Sequence, residues 1–198
     1  MKILQIGCGG IGSFYAEELF HCMIQEQVPI DLELYLSDAD IVEPSQLQYQ
    51  NFTEVEIGKN KATALAKRLT IDGIQVFTAI PKRIANEKSL SGFDLIILCV
   101  DNEYTRELVV RYCHEHDTNF LDLRATGRRI FAMSKTRTLS ENMKFIDNHD
   151  RTEYSCQEKS DLEQGLIQKG NKIVALIGIQ MTLNIFRGHG NKIISEVI

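Results

Sequence analysis

An α/β fold with a mostly parallel sheet flanked by helices is predicted by three features of the sequence. Apolar, strand-like runs alternate with segments of helical periodicity through the first two-thirds of the chain. A glycine cluster, Gly7-Cys8-Gly9-Gly10-Ile11-Gly12, sits directly between the first apolar run and the first helical segment. After Leu123 the pattern changes to short alternating stretches, which predicts a small antiparallel extension behind the fifth strand. Together these features describe a Rossmann-like domain.

The first apolar run, Lys2–Ile6, reads as a buried strand, and the glycine turn delivers it into a helix over residues 13–26. A second strand is expected at 32–36, followed by an irregular acidic stretch and a helix over about 60–69. A short third strand at 74–77 precedes the apolar run 94–100, which has the composition of a strand covered on both faces. Residues 103–116 return to helical spacing, and 119–123 complete five parallel strands. Beyond them, 130–134 alternate as an antiparallel strand, and 135–159 are polar and charged, an expected mobile crossover loop. Apolar residues at spacings of three and four over 161–186 predict one long closing helix, stopped by Gly188 and Gly190. Residues 193–198 are left as an edge strand or a reach toward a second subunit.

Composition narrows the function classes. The chain has 198 residues, 43% of them hydrophobic, enough for one sizeable core. A net charge of −5 with scattered signs offers no basic face to a phosphate backbone, so nucleic acid is not the expected partner. No apolar run approaches the roughly 18–20 residues that span a bilayer, so no membrane partner is expected. Cys8, Cys22, Cys99, Cys113 and Cys156 include no CxxC pair, which fits reduced thiols in a cytoplasmic protein rather than a zinc site or disulfide framework.

The glycine cluster carries the first chemical hint. Gly7, Gly9, Gly10 and Gly12 allow a tight turn and close backbone approach, and the open N–H groups at the start of the following helix attract phosphate. Alone, this turn serves NAD, FAD, S-adenosylmethionine and ATP alike. Asp38, just after the second strand, stands where such folds set a carboxylate on ribose hydroxyls.

Around Asp38 runs Asp38-Ala39-Asp40-Ile41-Val42-Glu43-Pro44-Ser45-Gln46-Leu47-Gln48-Tyr49-Gln50, then Gly58-Lys59-Asn60-Lys61-Ala62, and later Cys99-Val100-Asp101-Asn102. This succession resembles the ThiF, MoeB and ubiquitin-activating superfamily, whose pattern reads D-x-D-x-V-E-x-S-N-L-x-R-Q with G-x-x-K-A after it and an aspartate at the end of the fourth strand. The resemblance implies one ThiF-type nucleotide-binding domain over 1–198 and a site for ATP and Mg2+. Gly7, Gly9, Gly10, Gly12, Asp38, Asp40, Gln46 and Lys61 would bind the nucleotide, with Asp38 on the ribose and Lys61 balancing phosphate charge. Asp101 would hold Mg2+ near the α-phosphate, and Cys156, in the crossover segment, would accept the activated acyl group or sulfur. The implied reaction is adenylation of the C-terminal carboxylate of a ubiquitin-like or sulfur-carrier protein ending in Gly-Gly. A homodimer or heteromer is expected, because the apolar positions of the closing helix, including Ile173, Leu176, Ile177 and Ile179 to Leu183, exceed what one sheet face covers.

The chain departs from the pattern at Gln46 and Tyr49, where the family has asparagine and arginine. It also starts at the first strand, without the family's N-terminal helix and its arginine. Tyrosine lacks an arginine's permanent charge and forked donors. Arg124 and Arg128 are the candidate substitutes. Two other readings remain open: a non-catalytic partner subunit or scaffold, favoured by Tyr49, and a nicotinamide-dependent oxidoreductase, which explains the glycine turn and Asp38 but not Lys61 or the Val100-Asp101 pair.

Overall fold

The computed structural model describes all residues except 30, 127, 148–158 and 198. In chain order, β1 (Lys2–Ile6) passes through the glycine turn into α1 (Gly10–Ile24), and β2 (Glu33–Ser37) leads to α2 (Lys61–Arg68). A small hairpin of β3 (Thr70–Ile71) and β4 (Ile74–Gln75) precedes β5 (Phe77–Ile80), and β6 (Leu95–Leu98) precedes α3 (Glu103–Glu115). Then follow β7 (Asn119–Thr126), β8 (Arg129–Ser134), α4 (Leu139–Asp147), α5 (Lys159–Glu163), α6 (Gly170–Phe186) and β9 (Ile194–Val197).

The main sheet has seven strands in the order β5-β2-β1-β6-β7-β8-β9. The pairs from β5 to β7 are all parallel, and β8 and β9 add on in antiparallel sense. Side-chain alternation divides the core into two layers. Ile3, Leu34, Leu95, Leu121 and Leu123 pack on one face with Tyr15 and Leu19 of α1 and Val174 and Ile179 of α6. Leu4, Ile6, Ile96, Leu98 and Phe120 pack on the other with Val109 and Val110 of α3 and Ile146 of α4. Leu95 to Leu98 are 0% exposed, as a strand covered on both faces requires. A Cβ at Gly178 would collide with Leu123, so the missing side chain lets α6 settle directly on β7.

Three expectations about elements are corrected. The third parallel strand is Phe77–Ile80, not 74–77; Ile74 and Gln75 instead belong to a separate hairpin whose tip carries Asp72 and Gly73 at φ of 51° and 78°. The polar stretch expected as a loop over 135–159 contains α4 at Leu139–Asp147, which buries little beyond Asn142 and Ile146 and so shows weak apolar periodicity. The closing helix over 161–186 is two helices. Gly165 adopts φ 70°, and the bonds Leu166 N–H to Asp161 O (2.8 Å) and Gly165 N–H to Leu162 O (3.0 Å) end α5 in a Schellman turn.

On α6, Ile179, Met181 and Leu183 are buried, whereas Ile173 and Leu176 remain 36% and 46% exposed. The edge strand expected at the end of the chain is present, with Ile194 to Val197 paired to β8. Among the described residues no helix is long and apolar enough to cross a membrane.

Candidate nucleotide site

The carboxyl ends of the five parallel strands open into one cleft of about 350 Å³. It is lined by Gly7, Gly9 and Gly10 after β1, Asp38 and Asp40 after β2, Lys82 and Arg83 after β5, Asp101 and Asn102 after β6, and Arg124 and Ala125 of β7. Gln46, Tyr49, Gln50 and Lys61 complete it from the segment between β2 and α2. Ligands collect at this edge in open parallel sheets because helix N-termini and strand ends point there together.

The glycine turn is fixed from below. Gly7 takes φ 94°, and a Cβ there would press on the Cys99 carbonyl. A Cβ at Gly12 would overlap the Gly7 carbonyl, so Gly12 serves packing beneath the turn and is not among the lining residues. Buried Gln5 donates from Nε2 to the carbonyls of Gly7 and Gly12, both at 2.9 Å, and so staples strand, turn and helix together. Gly9 caps α1 with no side-chain hydrogen bond, which leaves the first N–H groups of a 15-residue helix facing the cleft.

Asp38 spans the turn and the next loop. Its carboxylate accepts from Cys8 N–H at 2.7 Å and from Asp40 N–H at 2.8 Å. Burial raises its pKa above the ordinary carboxylate range, opposed by those two N–H groups and by the charge of Lys61. Its oxygens keep lone pairs for further donors. Asn60 caps α2 through Thr63 N–H (3.0 Å) and donates to the carbonyls of Asp38 (2.8 Å) and Asp40 (3.2 Å). This lattice seats Lys61 at the first position of α2, 4% exposed and, among the described residues, without an ion-pair partner. A buried ammonium lining a cleft is ready for an anion.

The segment carrying Gln46, Tyr49 and Gln50 is pinned across α1 and α2. Asn51 donates from its backbone to Ser13 Oγ (2.9 Å) and from Nδ2 to Glu17 (2.6 Å), and Arg68 bonds Glu56 (2.9 Å) and the Asn51 carbonyl (2.7 Å). Gln46 accepts from Glu43 N–H through Oε1, which leaves its Nε2 as the donor for the cleft. Asn102, not Asp101, caps α3, by accepting from Thr105 N–H at 3.0 Å. Asp101 is exposed at the cleft and is not needed for that helix start.

Three cations of the cleft were missed in the sequence reading, Lys82, Arg83 and Arg106. Lys82 and Arg83 line the cleft, and Arg83 reaches Asp40 at 3.3 Å; the strand register 77–80 would have placed them at a carboxyl end. Arg106 and Arg124 also line it, both clasping buried Asp122, a charge cluster whose signal was the run Leu121-Asp122-Leu123-Arg124 inside a core strand. With Lys61, these make five cations against Asp38, Asp40 and Asp101 among the described lining residues, a local surplus hidden by the net charge of −5. Of the two arginines expected as substitutes, Arg124 lines the cleft, whereas Arg128 is exposed and outside the lining. Cys156 lies outside the described residues.

Fold and cleft define a Rossmann-like α/β domain with a cleft at the strand ends lined by glycines, lysines, arginines and aspartates. The chain belongs to the ThiF family, whose model matches residues 1–197. Among curated proteins it is similar to rice (Oryza sativa subsp. japonica) ubiquitin-like modifier-activating enzyme 5, 28% identical over 131 residues, which are 58% of this chain and 30% of the relative. It is 25% identical over 175 residues to the ATP-dependent ubiquitin transferase-like protein Cap2 of Enterobacter hormaechei, covering 84% of this chain and 28% of that one. It is 32% identical over 116 residues to mouse adenylyltransferase and sulfurtransferase MOCS3, covering 56% of this chain and 24% of that one. The chain thus spans about a third or less of the length of these relatives. The fold matches E. coli MccB crystallised with ATP, with a TM-score of 0.67, 16% identity and coverage of 99% of this chain and 62% of that one. It also matches TcdA (CsdL), with a TM-score of 0.68, 16% identity and coverage of 94% and 86%.

Proposed function

We propose that the chain uses ATP and Mg2+ to adenylate the C-terminal carboxylate of a small carrier protein, of ubiquitin-like or sulfur-carrier type and ending in Gly-Gly. One observation carries the reading: segments far apart in sequence bring the glycine turn, Asp38, Lys61 and Asp101 to a single cleft. The relatives named as modifier-activating enzymes and as an adenylyltransferase support it.

The donor set fits a nucleotide. The uncapped start of α1 offers N–H groups to phosphate, and among the described residues the one atom within 4 Å of a Cβ built on Gly9 is Gln50 Nε2 at 3.9 Å, which leaves room for a ligand beside the turn. Asp38 would accept from ribose hydroxyls, with Asp40 and Gln46 at the rim, and Lys61 would neutralise phosphate oxygens. Asp101, a strand-end carboxylate, would hold Mg2+, which when bound supplies charge stabilisation on the phosphates. In the reaction a carboxylate oxygen forms a bond to the α-phosphorus while the bond to the β-phosphate bridging oxygen breaks, and pyrophosphate leaves with the electron pair. Fixed N–H groups and cations stabilise charge on the equatorial and leaving oxygens without reorganising.

The test is ATP–pyrophosphate exchange with a Gly-Gly carrier, alongside calorimetry with ATP and with NAD. ATP with Mg2+ is expected to bind more tightly than NAD and to exchange only when carrier is present. Equal or tighter NAD binding would sink the assignment. ATP binding without exchange would support the scaffold reading, which Tyr49 in the cleft lining favours.

We also propose a homodimer or heteromer as the working assembly, because Ile173 and Leu176 stay exposed on a helix that is otherwise well packed. Light scattering should give a mass above 22.5 kDa at working concentrations. A monomer with full exchange activity would refute this assembly.

A further inference from the structure

We propose that Arg124, held as a fixed cation by Asp122, is the receiving group for the carrier's terminal carboxylate; the inference rests on the carrier-adenylating reading above. The strand ends meet the cleft in the order β5, β2, β1, β6, β7. Asp38 follows β2, the glycine turn follows β1, Asp101 follows β6, and Arg124 sits on β7. With neighbouring strands roughly 4.8 Å apart, Arg124 lies one strand beyond the Asp101 position and about 10 Å along the edge from the glycine turn. The phosphate donors and Lys61 crowd the β1–β2 side, so the β7 side is the approach left for a second anion.

Bringing a carboxylate to a polyphosphate in a closed cleft sets two negative groups against each other while both lose water. A cation already fixed at the carboxylate's end of the cleft offsets that cost. Arg124 has the geometry. Its Nε and Nη2 donate to Asp122 Oδ2 at 2.9 and 2.5 Å, its Nη1 donates to the Phe145 carbonyl at 3.0 Å, and its guanidinium lies 4.8 Å from the Phe131 ring centroid. These bonds use three of its five N–H groups, and one hydrogen on each Nη is left without a partner among the described residues.

Asp122 does not cancel the charge. Its Oδ1 accepts from Arg106 Nε at 3.0 Å, so two guanidiniums share one buried carboxylate and the cluster keeps a surplus of one positive charge. Arg106 also donates to the Val100 carbonyl, directly before Asp101, which ties the cluster to the loop of the proposed metal ligand. A planar fork locked on its far side is pre-organised for a carboxylate. Arg124 gives up no proton in the reaction; it orients and neutralises the oxygen that forms the bond to the α-phosphorus.

The experiment compares a ten-residue peptide ending in Gly-Gly as free acid with the same peptide as carboxamide, by calorimetry on the protein saturated with Mg2+ and a non-hydrolysable ATP analogue. Wild type is expected to prefer the free acid by roughly 10–100-fold, the range of a charge-assisted bond. Arg124→Gln should lose that preference with less than about a two-fold change in analogue affinity, and Arg124→Lys should keep part of it. Should Arg124→Gln fold poorly, Arg124→Lys, which keeps the charge beside Asp122 but not the fork, decides the point: an acid preference equal to that of wild type would overturn the subsite. Equal binding of acid and carboxamide by wild type, or a preference retained in Arg124→Gln, would overturn the subsite and leave the carrier reading standing. Binding of neither peptide by wild type would overturn the carrier reading, and the subsite with it.

Discussion

Asp101→Ala is expected to lower ATP–pyrophosphate exchange by roughly 10²–10³-fold or more, the size of losing one main electrostatic stabiliser of a reaction centre. The fold should be unaffected. Asp101 is exposed, makes no helix cap and lies past the end of β6, whose core residues are packed independently of it. Its removal should therefore shift stability by no more than about 0.5 kcal/mol. The measurement pairs exchange at saturating ATP and carrier with chemical denaturation of the same preparation. Exchange within a few-fold of wild type would remove Asp101 from the site, and a large stability loss would show that the carboxylate serves the fold instead.

Asp122→Ala should produce the opposite pattern, a stability loss of about 3–5 kcal/mol, because two buried guanidiniums would face each other without a counter-charge. In a chain of this size that corresponds to a drop on the order of 10 °C in melting temperature. The pH dependence has a defined sign. Burial alone would raise the Asp122 pKa, but Arg106 and Arg124 hold it below the ordinary carboxylate range. Its contribution is thus fully present above the unfolded value of roughly 3.9 and is lost as pH falls through the lower folded value. Wild type should show this acid-side loss, and Asp122→Ala should lack that component. A variant within about 1 kcal/mol of wild type would mean that the arginines find water or other acceptors once the carboxylate is gone.

The contrast between these two aspartates also shows where the sequence was legible. Asp38 stood out because it follows a strand at the spacing of a ribose-binding carboxylate, and Lys61 and Asp101 because the motifs around them resemble those of the ThiF, MoeB and ubiquitin-activating superfamily. The glycine turn and the five parallel strands follow from periodicity, since strands buried on both faces must be almost wholly apolar. The third strand was misplaced because Ile74 and Phe77 both have strand propensity, and only tertiary pairing selects 77–80 for the sheet and leaves Ile74 71% exposed in a hairpin. Helix α4 escaped notice because its anchors are sparse, and the split of the closing helix because Gly165 was outweighed by apolar spacing on either side. Lys82 and Arg83 were lost with the strand register. The Arg106–Asp122–Arg124 cluster joins α3 to β7, and spacing along one chain does not reveal which charges meet across a core.

The two hydrogen bonds that the Asp38 carboxylate accepts give one residue two mechanical duties. By gripping Cys8 N–H it braces the glycine turn, and by gripping Asp40 N–H it shapes the loop that seats Lys61. A ribose contact at the same carboxylate would therefore be read by the strut that sets the phosphate cradle, so the sugar and phosphate ends of a nucleotide would be sensed as a single object. Fragments such as adenosine and pyrophosphate would then bind with free energies that do not sum to that of the intact molecule. Any substitution at Asp38 would disturb both ends together, and its effect would measure the coupling between them.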